Sequence, residues 1–418
     1  MKRPGAITMR SGSRRDGWGL SRETINRGMA VPPSMGVKLG YSDRSRLVVQ
    51  SEIRNMTLEC NRVGGINLAQ GVCDLDVPQV VIESAYEAMK QGTNQYTRYD
   101  GLPIIRKAIA HKFKTFNHAD IDPEKNVVVS AGATGAFYSA CLALLNPGDE
   151  VIVFEPFYQY HVNTLLAVGA VPRYVSMKTP EWTIDMDEVR SVITPRTKAM
   201  IINTPGNPSG KVFTRKELEE LGSICEAADI FLFSDEIYEY FVYDGLEHVS
   251  PWSIPLLRER TIVISGYSKT FSITGWRLGY CVCGERWAQM IGYMNDLVYV
   301  CAPAPLQVGV AEGIMRLPPS YYENIARTYQ YKRDEMISSL RSAGMEPYVP
   351  RGAYYILADV TNVPGRTSKE KALRILKEKN VASVPGSAFY SNGGGENLVR
   401  FCFAKRDEVL SRVCACLK

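Results

Sequence analysis

The chain has 418 residues, enough for two domains with separate cores, and its 45% hydrophobic and 22% charged content is that of a globular protein. Forty-nine basic against forty-four acidic residues give a net charge of +5, much of the excess in Lys2, Arg3, Arg10, Arg14 and Arg15, too little and too scattered for a nucleic-acid footprint. No apolar run reaches the roughly 20 residues that span a bilayer, the N-terminus lacks an apolar signal core, and none of the ten cysteines forms a CxxC pair, so neither a membrane partner nor a metal is expected. Cys281 with Cys283, and Cys414 with Cys416, read as reduced small hydrophobes of a cytoplasmic protein.

Residues 1–44 are polar and rich in Gly and Pro, and read as an arm. Ser45 to Asn61 carries helical apolar spacing through Leu47, Val48, Ile53, Met56 and Leu58, and GGINLAQG then predicts a short strand and a glycine turn. From Gln79 the rhythm alternates. QVVIESAYEAMKQG and LPIIRKAIAHKFKTF are amphipathic helices. NVVVSAG is a buried strand, followed by the helix ATGAFYSACLALL, the strand DEVIVFEP and the helix QYHVNTLLAVGA. VPRYVSM, TKAMIINTP, IFLFSDEIY and TIVISGYS are further strands. Between them TRKELEELGSICEAA is a helix opened by a capping box, Thr214 with Glu217 three residues later. After about residue 310 a long helix, Tyr321 to Ala343, precedes the strands GAYYILADV and NLVRFCFA.

Apolar runs alternating with helices predict an α/β fold whose mainly parallel sheet is covered on both faces. The expected organisation is an arm over 1–44, a small-domain segment over 45–75, a large three-layer αβα domain over 76–308, and the rest of a smaller α+β domain over 309–418.

The chemistry concentrates in TIVISGYSKTFSITGWRLGY, Thr261 to Tyr280. Its strand ends on Lys269, with hydroxyls at Ser265, Ser268 and Thr270 and an arginine, Arg277, eight residues on. Alone, Lys269 reads as a lysine with its head in water. Beside Arg277 it reads as an amine whose pKa is lowered toward nucleophilicity, next to an anion cradle, which is what pyridoxal phosphate (PLP) requires.

SGYSKTFSITGWRLGY resembles the lysine segment of fold-type I PLP enzymes of the class I/II aminotransferase family, and the resemblance runs from about residue 45 to the C-terminus. It implies that Lys269 carries PLP and acts as acid and base, and that Arg277 and Ser268 hold the phosphate. Gly266 stands where many relatives carry a phosphate-binding serine. Gly132, Ala133 and Thr134, at a strand-to-helix turn, would wrap the phosphate. Tyr158 would stack on the ring, Asp235 would keep the ring nitrogen protonated, and Tyr238 and Asn207 would contact the phenolic oxygen. Arg400 would bind the substrate α-carboxylate, with Gly71 and Asn207 beside it; Cys73 occupies a position that is usually proline. In NQYTRYDG the spacing from Gly101 selects Tyr96 over Tyr99 as the tyrosine that reaches the neighbouring subunit, so a homodimer with shared sites is expected. The implied reaction is ping-pong amino transfer from an L-amino acid to a 2-oxo acid. A PLP-dependent lyase or cyclopropane-carboxylate synthase shares these residues, and an aminotransferase-like ligand sensor is a remoter alternative. No second arginine for a dicarboxylate substrate can be placed from the sequence.

Overall fold

The computed structural model describes residues 40–48, 50–391 and 393–418, so the expected arm lies almost wholly outside the described residues. Residues 43–418 form one compact unit. Helices α1 (Asp43–Leu47) and α2 (Glu52–Val63), strand β1 (Ile66–Asn67) and helices α3 (Gln79–Lys90) and α4 (Pro103–Thr115) come first. The chain then alternates through β2 (Val127–Ser130), α5 (Gly132–Leu144), β3 (Glu150–Glu155), α6 (Gln159–Val168), β4 (Val171–Ser176), α7 (Met186–Ser191), β5 (Thr197–Asn203), α8 (Arg215–Ala228), β6 (Phe231–Asp235), β7 (Thr261–Gly266) and β8 (Gly279–Val282). Helices α9 (Glu285–Tyr299), α10 (Ala304–Arg316) and α11 (Pro319–Ser342) lead to β9 (Glu346–Pro347), β10 (Tyr355–Asp359), α12 (Ser368–Lys379), β11 (Val381–Ala382), β12 (Val384–Pro385), β13 (Leu398–Cys402) and α13 (Asp407–Leu417).

Seven strands form the central sheet in the order β2-β8-β7-β6-β5-β3-β4. Only β8 runs antiparallel to its neighbours. Every residue of β3, β6 and β7 is buried, as the unbroken apolar runs predict for a sheet covered on both faces. Strand β5 shows how the layers divide. Ala199 and Ile201 pack with Phe137, Leu165 and Ile291 of α5, α6 and α9, whereas Met200 and Ile202 pack with Leu218, Leu221 and Ile224 of α8. The result is the expected three-layer α/β architecture. A second sheet, β12-β13-β10-β9, is antiparallel. Strand β1 pairs in parallel with β11, Ile66 opposite Val381, so this smaller α+β region draws chain from before and after the large sheet.

The single helix expected over Ser45 to Asn61 is instead two. Ser51 takes an extended backbone and its hydroxyl accepts the amide of Ile53 at 3.3 Å, starting α2 afresh. The apolar spacing misled because Leu47, Val48 and Leu58 are exposed, and only Met56 and Cys60 of α2 are buried. Strand β8, unassigned in the sequence reading, is a four-residue insertion of reversed polarity between β2 and β7.

The capping box of α8 forms as predicted. Thr214 Oγ1 accepts the Glu217 amide at 3.2 Å, and Glu217 Oε2 accepts the Thr214 amide at 2.8 Å. Thr214→Ala is expected to lower unfolding free energy by about 1 kcal/mol, with Thr214→Ser close to neutral; urea denaturation checks both, and equal losses in the two variants would remove the hydroxyl from the account.

Candidate active site

The C-terminal ends of parallel strands are where an α/β sheet leaves a crevice, because the chain departs there to opposite faces. A cleft of about 720 Å³ opens at the ends of β5, β6 and β7. Loops after these strands bring Asn207, Asp235, Tyr238, Ser268, Lys269 and Arg277 to its wall. The turn into α5 adds Ala133 and Thr134, the start of α6 adds Tyr158, the segment after β1 adds Gly71, and β13 adds Arg400. Residues hundreds of positions apart thus line one cavity.

Lys269 Nζ donates to the Gly71 carbonyl at 3.1 Å and lies 5.9 Å from the centre of the Tyr354 ring. Part of its surface faces the cavity, yet enough protein surrounds the amine that lost hydration pushes its pKa below the usual lysine value. The positive charge of Arg277 pushes the same way, while Cys73, Cys402 and Asp235 oppose it.

Asp235 ends β6 and is 7% exposed. One carboxylate oxygen, Oδ2, is 2.9 Å from His161 Nε2, and the other accepts the Ile237 amide at 3.2 Å. The carboxylate is therefore fixed in orientation and faces the cavity. Asn203 Nδ2 donates to the Asp235 carbonyl at 2.9 Å, and Asn203 Oδ1 accepts the Asn207 amide at 2.6 Å, which ties the ends of β5 and β6 together.

Arg400 is fully buried. It donates through Nη1 to Asn207 Oδ1 at 2.9 Å and through Nη2 to the Ala69 carbonyl at 2.5 Å, and its Nε has no partner among the described residues. A buried guanidinium facing no carboxylate leaves a positive charge for a ligand to neutralise. At the other end of the cleft, Gly132 has φ +78°, and a Cβ there would lie 2.4 Å from Arg277 Nη2. Only glycine lets the N-terminus of α5 come this close to the guanidinium, and the two together make an anion cradle.

Gly266 has no room for a side chain: a Cβ would sit 2.8 Å from the Leu278 carbonyl and 2.9 Å from Gly279 Cα. Ser265 is sealed in, donating toward the Glu236 carbonyl at 3.3 Å and to Glu239 Oε1 at 3.1 Å. Of the hydroxyls on either side of Gly266, Ser268 is the one that lines the cleft. Tyr160 stacks on Tyr158, with ring centres 5.3 Å apart, and Phe157 is core. Tyr96 is outside the cavity and 84% exposed, whereas Tyr99 is packed edge-on against Tyr293.

Among the cleft residues that the sequence reading did not single out are His161, Tyr355 and Arg54. His161 lies one helical turn after Tyr158, on the same face of α6, a spacing that could have flagged it. Tyr355 lines the cleft with its hydroxyl 2.9 Å from that of Tyr238; neighbouring Tyr354, whose hydroxyl donates to the Gly71 carbonyl at 3.3 Å, converges on the same place, and the register that brings both there was unknown. Arg54 of α2 lines the cleft without an ion-pair partner among the described residues, and nothing local marks it.

An aldehyde-bearing pyridine with a phosphate fits these residues. The amine is desolvated, a fixed carboxylate faces the cavity, a glycine cradle with an arginine lies at one end, and a second arginine with a spare donor lies at the other.

The chain matches the family model for aminotransferase class I and II over residues 63–417. It is 34% identical to the kynurenine–oxoglutarate transaminase 1 of Homo sapiens, covering 82% of this chain and 90% of that one. It is also 34% identical to the aromatic-amino-acid aminotransferase 2 of Thermococcus litoralis, covering 91% and 99%. Among solved structures, Escherichia coli YbdL, reported with a methionine aminotransferase function, superposes with a TM-score of 0.87 at 30% identity, covering 91% of this chain and 99% of that one.

Because the fold disfavours the charged amine, stability contributed at Lys269 falls as pH drops from the unfolded lysine value, about 10.4, through the lower folded one. In cofactor-free protein, borohydride trapping of a small uncharged aldehyde at Lys269 is expected to show a pH midpoint below that of free lysine. Arg277→Met is expected to move the midpoint upward. A midpoint equal to free lysine's would contradict the desolvation.

Proposed function

This chain belongs to the aminotransferases of class I and II, and on that footing we propose that the cleft around Lys269 holds pyridoxal 5'-phosphate and moves the amino group of an L-amino acid to a 2-oxo acid. What carries the reading is one cavity combining an amine of lowered pKa, an oriented carboxylate and two arginines at opposite ends. The ligand's two anionic ends match the two arginines, and its electrophilic carbon matches the amine between them.

Lys269 would hold the cofactor, with Arg277, Ser268, Ala133, Thr134 and the α5 N-terminus around Gly132 on its phosphate. Tyr158 would cover the ring. When bound, the cofactor supplies an electron-poor ring that stabilises the charge left when the amino acid's Cα–H bond breaks. Asp235, aimed by His161, would hold the proton on the ring nitrogen. Arg400 would clamp the α-carboxylate, so that the Cα–H bond faces Lys269 Nζ. The released amine would take that proton as a base and return it as an acid. Asn207 accepts from Arg400 through Oδ1, which leaves its Nδ2 for the phenolic oxygen, beside Tyr238. Gly71 would border the substrate, its missing side chain making room for Tyr355. Water and 2-oxo acid would complete the two half-reactions, giving ping-pong kinetics.

A homodimer with shared sites fits the exposed apolar surface. Leu297 and Tyr293 of α9 are 79% and 46% exposed, and Tyr96, 84% exposed, follows the same side of the molecule, where the Thr97 amide donates to Cys301 Sγ. A partner's copy of this surface would bring its Tyr96 toward the phosphate end, where Thr134 and Arg277 are open to solvent. Among the described residues no helix is long and apolar enough to cross a membrane, and a cytoplasmic location is part of the proposal.

Arg54 extends the reading to the acceptor. The arginines lining the cleft are Arg54, Arg277 and Arg400, against one acid, Asp235. Phosphate and α-carboxylate would use two, which leaves Arg54 for the distal carboxylate of a 2-oxo dicarboxylic acid.

Lys269→Ala is expected to abolish both the visible absorbance and amino transfer, a loss of at least about 10³-fold. Glutamate formed from an amino-donor panel and 2-oxoglutarate, without ammonia release, checks the reaction class; near-normal turnover in the variant would sink the scheme. Arg54→Met is expected to lower kcat/KM for 2-oxoglutarate about 10- to 100-fold while sparing phenylpyruvate. Equal effects on both acceptors would remove Arg54 from recognition.

A further inference from the structure

Tyr355, the first residue of β10, occupies the junction of the substrate end and the cofactor end of the cleft. It is 2% exposed. Its hydroxyl is 2.9 Å from that of Tyr238, a bond in which either oxygen could donate. The same hydroxyl rests on Gly71, where a Cβ would lie only 1.8 Å from it, and the Gly71 carbonyl is the acceptor for Lys269 Nζ. Its ring carries the Arg400 guanidinium, whose carbon is 4.3 Å from the ring centre, with Phe389 at 5.1 Å.

Two hydroxyls that bond to each other leave one proton without a use. If Tyr238 donates to Tyr355, the Tyr355 proton has only the neighbouring Tyr354 hydroxyl, itself a donor to the Gly71 carbonyl at 3.3 Å, to turn to. If Tyr355 donates to Tyr238, the Tyr238 proton is free to point into the cleft. The second arrangement spends that proton on an anionic oxygen next to Tyr238, a stronger bond than one between neutral hydroxyls, and a hydrogen bond received strengthens the one given. The ring acts separately. A guanidinium seated over an aromatic face is held there by its charge, so its remaining donors keep a fixed direction.

We propose that Tyr355 is a positioning residue with two separable parts: its hydroxyl donates to Tyr238 and so aims the Tyr238 proton at the phenolic oxygen, and its ring sets the plane in which Arg400 receives a carboxylate. The inference rests on the assignment of the cleft to pyridoxal 5'-phosphate. It makes the hydroxyl a tuner of the cofactor and the ring a determinant of carboxylate affinity.

Two substitutions separate the parts. Tyr355→Phe removes the oxygen and keeps the ring, and Tyr355→Leu removes both. The first readout is the pH midpoint of the visible absorbance change of the cofactor-loaded protein. A weaker hydrogen bond to the phenolic oxygen raises the proton affinity beside it, so Tyr355→Phe shifts the midpoint upward by about half a pH unit. The second readout is equilibrium binding of an unreactive carboxylate, 3-phenylpropanoate, to the loaded protein. Tyr355→Phe binds it within twofold of the parent, whereas Tyr355→Leu binds it about tenfold more weakly. An unchanged midpoint in Tyr355→Phe overturns the hydroxyl role, and equal carboxylate binding by the two variants overturns the ring role. Both results leave the cleft assignment standing provided Lys269→Ala alone abolishes the absorbance, so the two failures are distinguishable.

Discussion

An amine with no ion-pair partner among the described residues, stripped of much of its hydration and held on a carbonyl oxygen, is the constraint around which this cleft is arranged. Such a group is costly to bury in charged form, and the fold meets the cost by favouring its neutral form. Lys269 follows, in the next turn, β7, a strand buried along its whole length, so the sheet fixes where its side chain begins. The other requirements follow from that position. Asp235 comes from the adjacent strand β6, Asn203 from β5, and the Gly71 carbonyl from a segment that follows β1.

The turn after β6 has two faces with different duties. Asp235 and Tyr238 face the cleft, while Glu236 and Glu239 face a buried polar layer. Glu236 receives Ser234 and Ser250 hydroxyls at 2.8 and 3.0 Å and lies 2.9 Å from His248 Nε2. Glu239 is paired with Lys112 of α4 and accepts from Ser265. Two buried carboxylates would be destabilising without these partners. With them, the turn is anchored from below, and Ser265 links the anchor to the strand that carries Lys269. The precision of the visible site therefore depends on residues that never reach it.

The cleft is also graded along its length. Around Arg400 it is sealed: Arg400 is fully buried, and Asn207 and Tyr238 are nearly so. Around Thr134 and Arg277 it is open to solvent. A dry region strengthens any directional bond made in it.

Much of this was written locally. The alternation of apolar runs with amphipathic helices set the α/β sheet, the capping box set the start of α8, and Lys269, Asp235, Asn207, Arg277 and Arg400 each stood in short recognisable segments that the fold gathers into one cleft. What the sequence could not decide depended on distance between segments. The break before α2 turned on which apolar side chains found a core, and Leu47, Val48 and Leu58 did not. The choice between Ser265 and Ser268 turned on the polar layer beneath β7, and the loss of a side chain at Gly266 turned on the backbone of β8. His161, Tyr355 and Arg54 acquired meaning only when helix, strand and loop converged on one cavity. Residue type and period are properties of a chain, whereas burial, proton direction and pairing of charges belong to neighbours, and neighbours exist only once the chain has closed on itself.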